Sequence, residues 1–111
     1  MNILVCGGRE FSDYQLLSEV LNDYSKSGLM IIHGGARGAD SMAGKWAEAN
    51  GVHSAEVRAL WADYGKSAGF KRNSAMLNLK PDLVLAFSGG VGTKMMVDLA
   101  RRAGVEVVEV N

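Results

Sequence analysis

Three short glycine-rich segments are the parts of this chain whose residue types and spacing predict chemistry. They are Gly7-Gly8-Arg9, Gly34-Gly35-Ala36-Arg37-Gly38 and Ser88-Gly89-Gly90-Val91-Gly92-Thr93. Glycines let a backbone approach a ligand closely and adopt positive φ. Each segment precedes a predicted helix, whose free N–H groups and partial positive charge favour an anion. The three segments together therefore predict a phosphate-binding site.

The last segment makes the strongest case, because a clear apolar strand precedes it and a clear helix follows it. A phosphate there would accept hydrogen bonds from the backbone N–H groups of Gly90 to Thr93 and from the Thr93 hydroxyl. Arg9 and Arg37 follow glycine turns, where a guanidinium binds phosphate bidentately. The alternatives are tight turns without a ligand and arginines that serve as solvated surface charges.

Other polar and aromatic residues allow two interpretations each. Asp40 lies at a predicted helix start, where it contacts a ribose or base, or complements the helix N-terminus. Trp61 and Tyr64 lie in a long loop, where they stack on a base or cover the core. Two histidines and the single cysteine, Cys6, show no metal-ligand spacing, so we predict no metal and no cofactor.

Alternating strand and helix patterns must position these segments. Short apolar runs predict strands at residues 2–6, 29–33, 52–60, 82–87 and 105–110. Helical spacing predicts a helix after Ser12 or Asp13 and further helices at residues 39–50, 70–79 and 93–103, with residues 61–69 as a loop or a short helical turn. This order predicts an α/β fold, a Rossmann-like three-layer domain with a mostly parallel five-stranded sheet.

Length and composition narrow the functional classes. The 111 residues suit one domain, and we expect residues 1–111 to form it. A net charge of zero argues against a broad nucleic-acid surface, so nucleic acid is not an expected partner. Because no apolar run approaches about 20 residues, we expect no membrane association and a cytoplasmic location. Neither a Walker A loop nor a GxGxxG fingerprint is present.

Four motifs resemble a known family. They are Gly7-Gly8-Arg9-Glu10-Phe11, the run from His33 to Asp40, Gly69-Phe70-Lys71-Arg72-Asn73 and the run from Phe87 to Thr93. Together they resemble the YspA/YpsA-related branch of the SLOG superfamily, which includes the LONELY GUY phosphoribohydrolases and the DNA-processing protein A family. The resemblance implies a bacterial or phage protein with a nucleotide-derived ligand at the Gly-Gly-x-Gly-Thr loop. It also implies roles for Arg72 and Asn73 and a homo-oligomeric state.

One departure from the family pattern bears on activity. The phosphoribohydrolases carry glutamates after the Gly-Gly-x-Gly-Thr loop, where this chain has Lys94, Met95 and Met96. The sequence therefore favours binding, by sensing or sequestration, of a nucleotide-derived ligand over its turnover. Cleavage of an N-glycosidic bond stays an alternative, with Asp40, Glu10 and Arg72 as its catalytic candidates. Binding of single-stranded DNA is a further alternative.

Overall fold

The computed structural model describes the backbone of residues 1–111 and the side chains of all of them except Trp61, Ala62 and Lys66. Five strands form one sheet: β1 (Asn2–Cys6), β2 (Met30–His33), β3 (His53–Glu56), β4 (Leu83–Phe87) and β5 (Glu106–Val110). All neighbouring strands pair in parallel, in the order β3-β2-β1-β4-β5. The predicted Rossmann-like α/β fold is therefore confirmed.

The helices occupy the connections between strands. They are α1 (Tyr14–Asn22), α2 (Ala39–Ala49), α3 (Trp61–Tyr64), α4 (Ala68–Asn78) and α5 (Val91–Arg102), with a 3-10 turn over Gly65–Ser67 between α3 and α4. Asp13 caps α1 by accepting a hydrogen bond from the Leu16 N–H at 3.0 Å, as one of the two predicted caps. The helix predicted from residue 93 begins two residues earlier, at Val91.

The apolar runs of the central strands are buried because helices cover both faces of the sheet. Alternate residues of β1 point to opposite layers, with Ile3 and Val5 in one core and Leu4 and Cys6 in the other. The first core also contains buried residues of α1 and α2, and the second contains residues of α4 and α5. Strands β3 and β5 at the sheet edges are mostly exposed or half-buried.

The strand order creates a crevice between β1 and β4. From β1 the chain proceeds to β2 and β3 on one side, whereas β4 and β5 lie on the other. In open parallel sheets, ligands bind outside the carboxyl ends of the strands where the order reverses. Two of the glycine-rich segments begin at these two strand ends, so the topology brings them together.

Candidate functional site

The loops after β1 and β4 meet at the carboxyl edge of the sheet. The Gly8 N–H donates a hydrogen bond to the Ser88 carbonyl oxygen at 2.8 Å. A Cβ added at Gly8 would lie 2.9 Å from the Gly89 Cα, so the two backbones approach too closely for a side chain there. The primary role of Gly7 and Gly8 is therefore structural: they allow the two loops to pack closely against each other.

Beside this junction lies a concave site of about 380 Å³, which we call the switch-point cleft. Its lining comes from β1, from the loops after β1, β2 and β4, and from α2, α4 and α5. The lining residues are Cys6, Gly7, Gly8, Arg9, Ala36, Asp40, Gly69, Arg72, Asn73, Met76, Gly90, Gly92, Thr93, Met95 and Met96. Residues as far apart in the sequence as Cys6 and Met96 thus share one cleft.

The first turn of α5 supplies hydrogen-bond donors at this cleft. Gly90 is the N-cap residue and provides no side-chain cap, and the first intrahelical bond runs from the Lys94 N–H to the Gly90 carbonyl oxygen at 3.1 Å. The N–H groups of Val91, Gly92 and Thr93 precede that bond and so have no partner within the helix. Together with the Thr93 hydroxyl, they can bind an anion.

Asp40 holds the loop after β2 from inside. Its carboxylate accepts a hydrogen bond from the Gly34 N–H at 2.8 Å, and only 6% of the residue is exposed. Burial raises the pKa of this carboxyl above 3.8, while the Gly34 hydrogen bond and the Arg72 charge oppose the rise. The geometry thus gives Asp40 a loop-holding role, and the predicted ribose contact stays a prediction.

Arg72 and Asn73 of α4 connect two of the glycine-rich segments. Arg72 Nη1 donates to the Gly34 carbonyl oxygen at 3.0 Å, and its Nε donates to Asn73 Oδ1 at 3.1 Å. The amide nitrogen of the buried Asn73 lies 3.5 Å from the Gly92 carbonyl oxygen. This bridge between the loops after β2 and β4 is a tertiary arrangement that the motif itself does not reveal.

A second concave site, of about 500 Å³, adjoins the first and shares Arg9, Ala36 and Arg72 with it. We call it the arginine cleft. Its lining residues are Arg9, Gly34, Gly35, Ala36, Arg37, Arg58, Ala59 and Arg72. Sequence reasoning missed Arg58, because it lies within the strand predicted at residues 52–60 and no glycine precedes it.

Glu10 and Tyr64 line neither of these two clefts. Glu10 pairs with Arg37 across 2.9 Å, and the two side chains are 91% and 73% exposed. Tyr64 contributes to another groove, where Lys71 Nζ lies 4.8 Å from its ring centroid. The Trp61 side chain lies outside the described residues. Of the two candidate catalytic carboxylates, only Asp40 therefore lines the switch-point cleft.

Sulfur-containing side chains form the apolar part of the switch-point cleft. Cys6, Met76 and Met96 are buried in the second core, as their apolar sequence context predicts, and with the half-buried Met95 they form the base of the cleft. Burial, followed by the charges of Asp40 and Glu109, raises the pKa of the Cys6 thiol from 9.0 to about 12. A protonated thiol there is an apolar surface rather than a nucleophile.

Among the described residues, no group of three or more His, Cys, Asp or Glu side chains is placed to hold a metal ion. Within the same set, no helix has both the length and the apolar character needed to cross a membrane.

The fold and its cleft at the β1–β4 switch point define a class of Rossmann-like α/β proteins. One solved structure of this class is DNA processing protein A (DprA) from Streptococcus pneumoniae, which superposes with a TM-score of 0.84 at 19% sequence identity. The match covers 99% of this chain and 50% of that protein, so this chain spans about half of its length. This likeness concerns the fold.

Sequence comparisons specify the family. The model of the YspA, cpYpsA-related SLOG family (YAcAr) matches residues 1–64. The Gene 61 protein of Mycobacterium phage D29 is 38% identical over 116 aligned residues, which cover 96% of this chain and 93% of that protein. The chain belongs to the YspA, cpYpsA-related SLOG family, as its motifs predicted. Membership supports a role connected with nucleotides or nucleic acid.

Proposed function

We propose that this protein binds a nucleotide-derived ligand in the switch-point cleft and does so to sense or sequester it. The observation that carries the proposal is the uncapped first turn of α5, where Gly92 and Thr93 line one cleft together with Arg72. Phosphate would accept hydrogen bonds from the N–H groups of Gly92 and Thr93 and from the Thr93 hydroxyl. Arg72 and Arg9 would neutralise its charge.

The remaining lining suits the sugar and base. The half-buried Met95, above the buried Cys6, Met76 and Met96, offers a polarizable apolar surface for a flat base. A volume of about 380 Å³ lies in the range of small-molecule sites. Asp40 is the carboxylate nearest to a ribose in this arrangement, with one of its oxygens already held by the Gly34 N–H.

A second candidate function, cleavage of an N-glycosidic bond, is favoured by one observation. Asp40 is a buried carboxyl in the cleft, and burial raises its pKa, as a general acid requires. Glu10 gives this alternative no support, because it is exposed and paired with Arg37. Asp40→Asn would abolish turnover under this alternative, whereas the binding proposal predicts no turnover in either protein.

The first experiment combines mass spectrometry of co-purified small molecules with a thermal-shift screen. The screen uses AMP, ADP-ribose, NAD and cyclic nucleotides on the wild type, with Thr93→Val as the site variant and Arg102→Ala as the control. A ligand at 100 times its dissociation constant adds about 2.7 kcal/mol to the free energy of unfolding. We expect that stabilisation in the wild type and the control, and a smaller one in Thr93→Val.

Each other outcome has a definite meaning. Recovery of free base and ribose phosphate after incubation would replace the binding proposal with the hydrolase. Stabilisation by single-stranded oligonucleotides alone would favour the third hypothesis, DNA binding. No response to any of these compounds would contradict a phosphate site at α5.

The domain organisation, the location and the oligomeric state are part of the same proposal. We propose that residues 1–111 act as one binding domain in the cytoplasm and that the protein forms a homo-oligomer. Light scattering coupled to size-exclusion chromatography tests the last point, since a monomeric mass at micromolar concentration would contradict it.

A further inference from the structure

The arginine cleft concentrates positive charge in a chain whose net charge is zero. Arg9, Arg37, Arg58 and Arg72 all line it, although the whole chain has 12 basic and 12 acidic residues. Its other lining residues are glycines and alanines, so no acidic side chain is among them. Four guanidinium groups around one concavity of about 500 Å³ form a local anion site that net charge conceals.

The basic residues of this lining are all arginines. Arginine presents a planar fork of donors that matches phosphate oxygens bidentately, whereas lysine acts as a point charge. Arg72 is held by its bonds to the Gly34 carbonyl oxygen and Asn73 Oδ1. Since a guanidinium has five N–H donors, three remain beyond these two bonds.

Two carboxylates at the rim keep the outer guanidinium groups in place. Glu10 pairs with Arg37, and Glu56 pairs with Arg58. The hydrogen bond from Arg58 lowers the pKa of the Glu56 carboxyl, so this partner is anionic at neutral pH. Exposed pairs of this kind are weak, and a phosphate with more charge can replace the carboxylate as the partner.

The two clefts adjoin, which links the arginine cleft to the proposed ligand. Arg9, Ala36 and Arg72 line both of them. A ligand whose first phosphate lies at α5 can therefore extend past Arg72 towards Arg37 and Arg58. A nucleotide with one phosphate would leave the outer arginines unused.

Because the two clefts share three lining residues, we infer that the arginine cleft is a subsite for a second phosphate group. The ligand would then be a nucleotide with at least two phosphates. This inference rests on the proposed function, because the first phosphate occupies the switch-point cleft. The second phosphate has two possible chemical sources. It is joined to the first in a diphosphate, or it lies on the opposite end of the ribose.

The test measures dissociation constants by calorimetry for four probes. They are AMP, ADP, an adenosine bisphosphate with its phosphates on opposite ends of the ribose, and inorganic pyrophosphate. The proteins are the wild type, the double variant Arg37→Ala/Arg58→Ala, its charge-retaining counterpart Arg37→Lys/Arg58→Lys, and Arg102→Ala as a control far along α5 from the cleft. The substituted arginines of the double variant are exposed, so the fold is retained.

We expect the wild type to bind ADP or the bisphosphate at least about 10-fold more tightly than AMP, as two charge-assisted contacts would give. Whichever of the two binds more tightly identifies the source of the second phosphate. The alanine double variant should bind it no better than AMP, with AMP affinity unchanged within about 2-fold. The lysine variant should keep part of the preference, because charge remains and bidentate geometry is lost.

Other results separate this inference from the proposed function. Equal affinity of the wild type for AMP, ADP and the bisphosphate would overturn the second subsite and leave the nucleotide site standing. Binding of pyrophosphate alone, lost in the alanine variant, would support the arginine subsite and contradict the nucleotide site. No binding of any probe would overturn both. Tighter binding of oligothymidylate than of ADP, lost in the same variant, would replace the inference with a nucleic-acid backbone.

Discussion

The loops after β2 and β4 both join a buried strand to a helix through glycines, but they use their polar groups in opposite ways. In the loop after β2, the Gly34 N–H donates to Asp40, and the Gly35 N–H donates to His33 Nδ1 at 3.1 Å. Neither helix that follows has a side-chain cap, but in α2 the Ala39 and Ser41 N–H groups donate to the carbonyl oxygens of Gly8 and Ala36, at 3.4 and 3.1 Å. In the loop after β4, residues 88–90 are exposed, and among the described residues the first N–H groups of α5 have no such backbone partner.

Because of this difference, the loop after β2 has a structural role, whereas the loop after β4 presents a binding surface. In the loop after β2, side chains of the protein itself accept the hydrogen bonds of the Gly34 and Gly35 N–H groups, which hold the loop in shape. This loop therefore presents arginine side chains to a ligand rather than these amide groups. The second loop leaves the first N–H groups of its helix without a partner among the described residues, so an external group can accept their hydrogen bonds. Similar glycine patterns thus acquire different roles from the side chains around them.

The largest effect is expected from a substitution that disrupts the loop after β2. Gly38 has φ +88°, and a Cβ added there would collide with the carbonyl oxygen of Gly8. We expect Gly38→Ala to lower the free energy of unfolding by about 3 kcal/mol or more, measured by urea denaturation.

Gly92→Ala is the matched control in the other loop, because no atom outside its own helix lies within 4 Å of the added Cβ. It should leave stability unchanged or raise it by up to about 1 kcal/mol, as Ala favours a helix. Equal losses in the two variants would contradict the distinction between the loops.

The next effect concerns the carboxylate that holds the first loop. Asp40→Ala leaves the buried Gly34 N–H without its acceptor, which should cost about 2 kcal/mol of unfolding free energy. Asp40→Asn keeps an oxygen in place and should cost less than half of that. If thermal or urea unfolding showed no loss in either variant, the loop would not depend on Asp40.

The same residue predicts a pH dependence. Because burial raises the native pKa of Asp40 above its ordinary value of 3.8, the native state binds the proton more tightly than the unfolded state. The Asp40 contribution to stability is therefore full below pH 3.8 and is lost as the pH rises through the native pKa. His33 and Arg72 face the same carboxyl and limit the shift.

Unfolding of the wild type and Asp40→Asn between about pH 3.5 and about pH 7.5 measures this contribution. The stability of the wild type relative to the variant should be greatest at the acid end. A difference that grew with pH would mean that hydrogen bonds and the Arg72 charge outweigh burial.

A change in the open loop should affect binding more than stability. Val91 is 82% exposed in the first turn of α5, so Val91→Asp places a carboxylate beside the free amide groups. We expect it to stabilise the helix by about 0.5 kcal/mol and to weaken nucleotide binding by about 10-fold or more. Val91→Asn is the neutral control and should bind as the wild type does. Unchanged affinity in Val91→Asp would place the anion elsewhere.

The smallest effect is expected at the rim. Glu10→Gln removes one partner of an exposed ion pair, so it should change the free energy of unfolding by less than about 0.5 kcal/mol. By freeing Arg37 it should not weaken nucleotide binding, which calorimetry would measure. A strong loss of nucleotide binding or of any turnover would mean that Glu10 takes part in the functional site.

Much of the fold could be predicted because local patterns carry it. Continuous apolar runs in β1, β2 and β4 indicate strands that are buried on both faces, and helical spacing between them indicates parallel connections. Boundaries were less predictable. The strand predicted at residues 52–60 is confined to His53–Glu56, since an edge strand with exposed residues lacks a strong apolar signal.

The sequence by itself determined the α/β class, the family and the three glycine-rich segments at strand ends, because each depends on residues adjacent in the chain. Only the tertiary structure decided that Asp40 holds the loop after β2, that Asn73 and Arg72 bridge two loops, and that Arg58 joins three other arginines. These relations depend on strand order and helix placement, which bring together residues distant in sequence. Burial and charge clustering arise from that proximity, so they could not be derived from composition or local spacing.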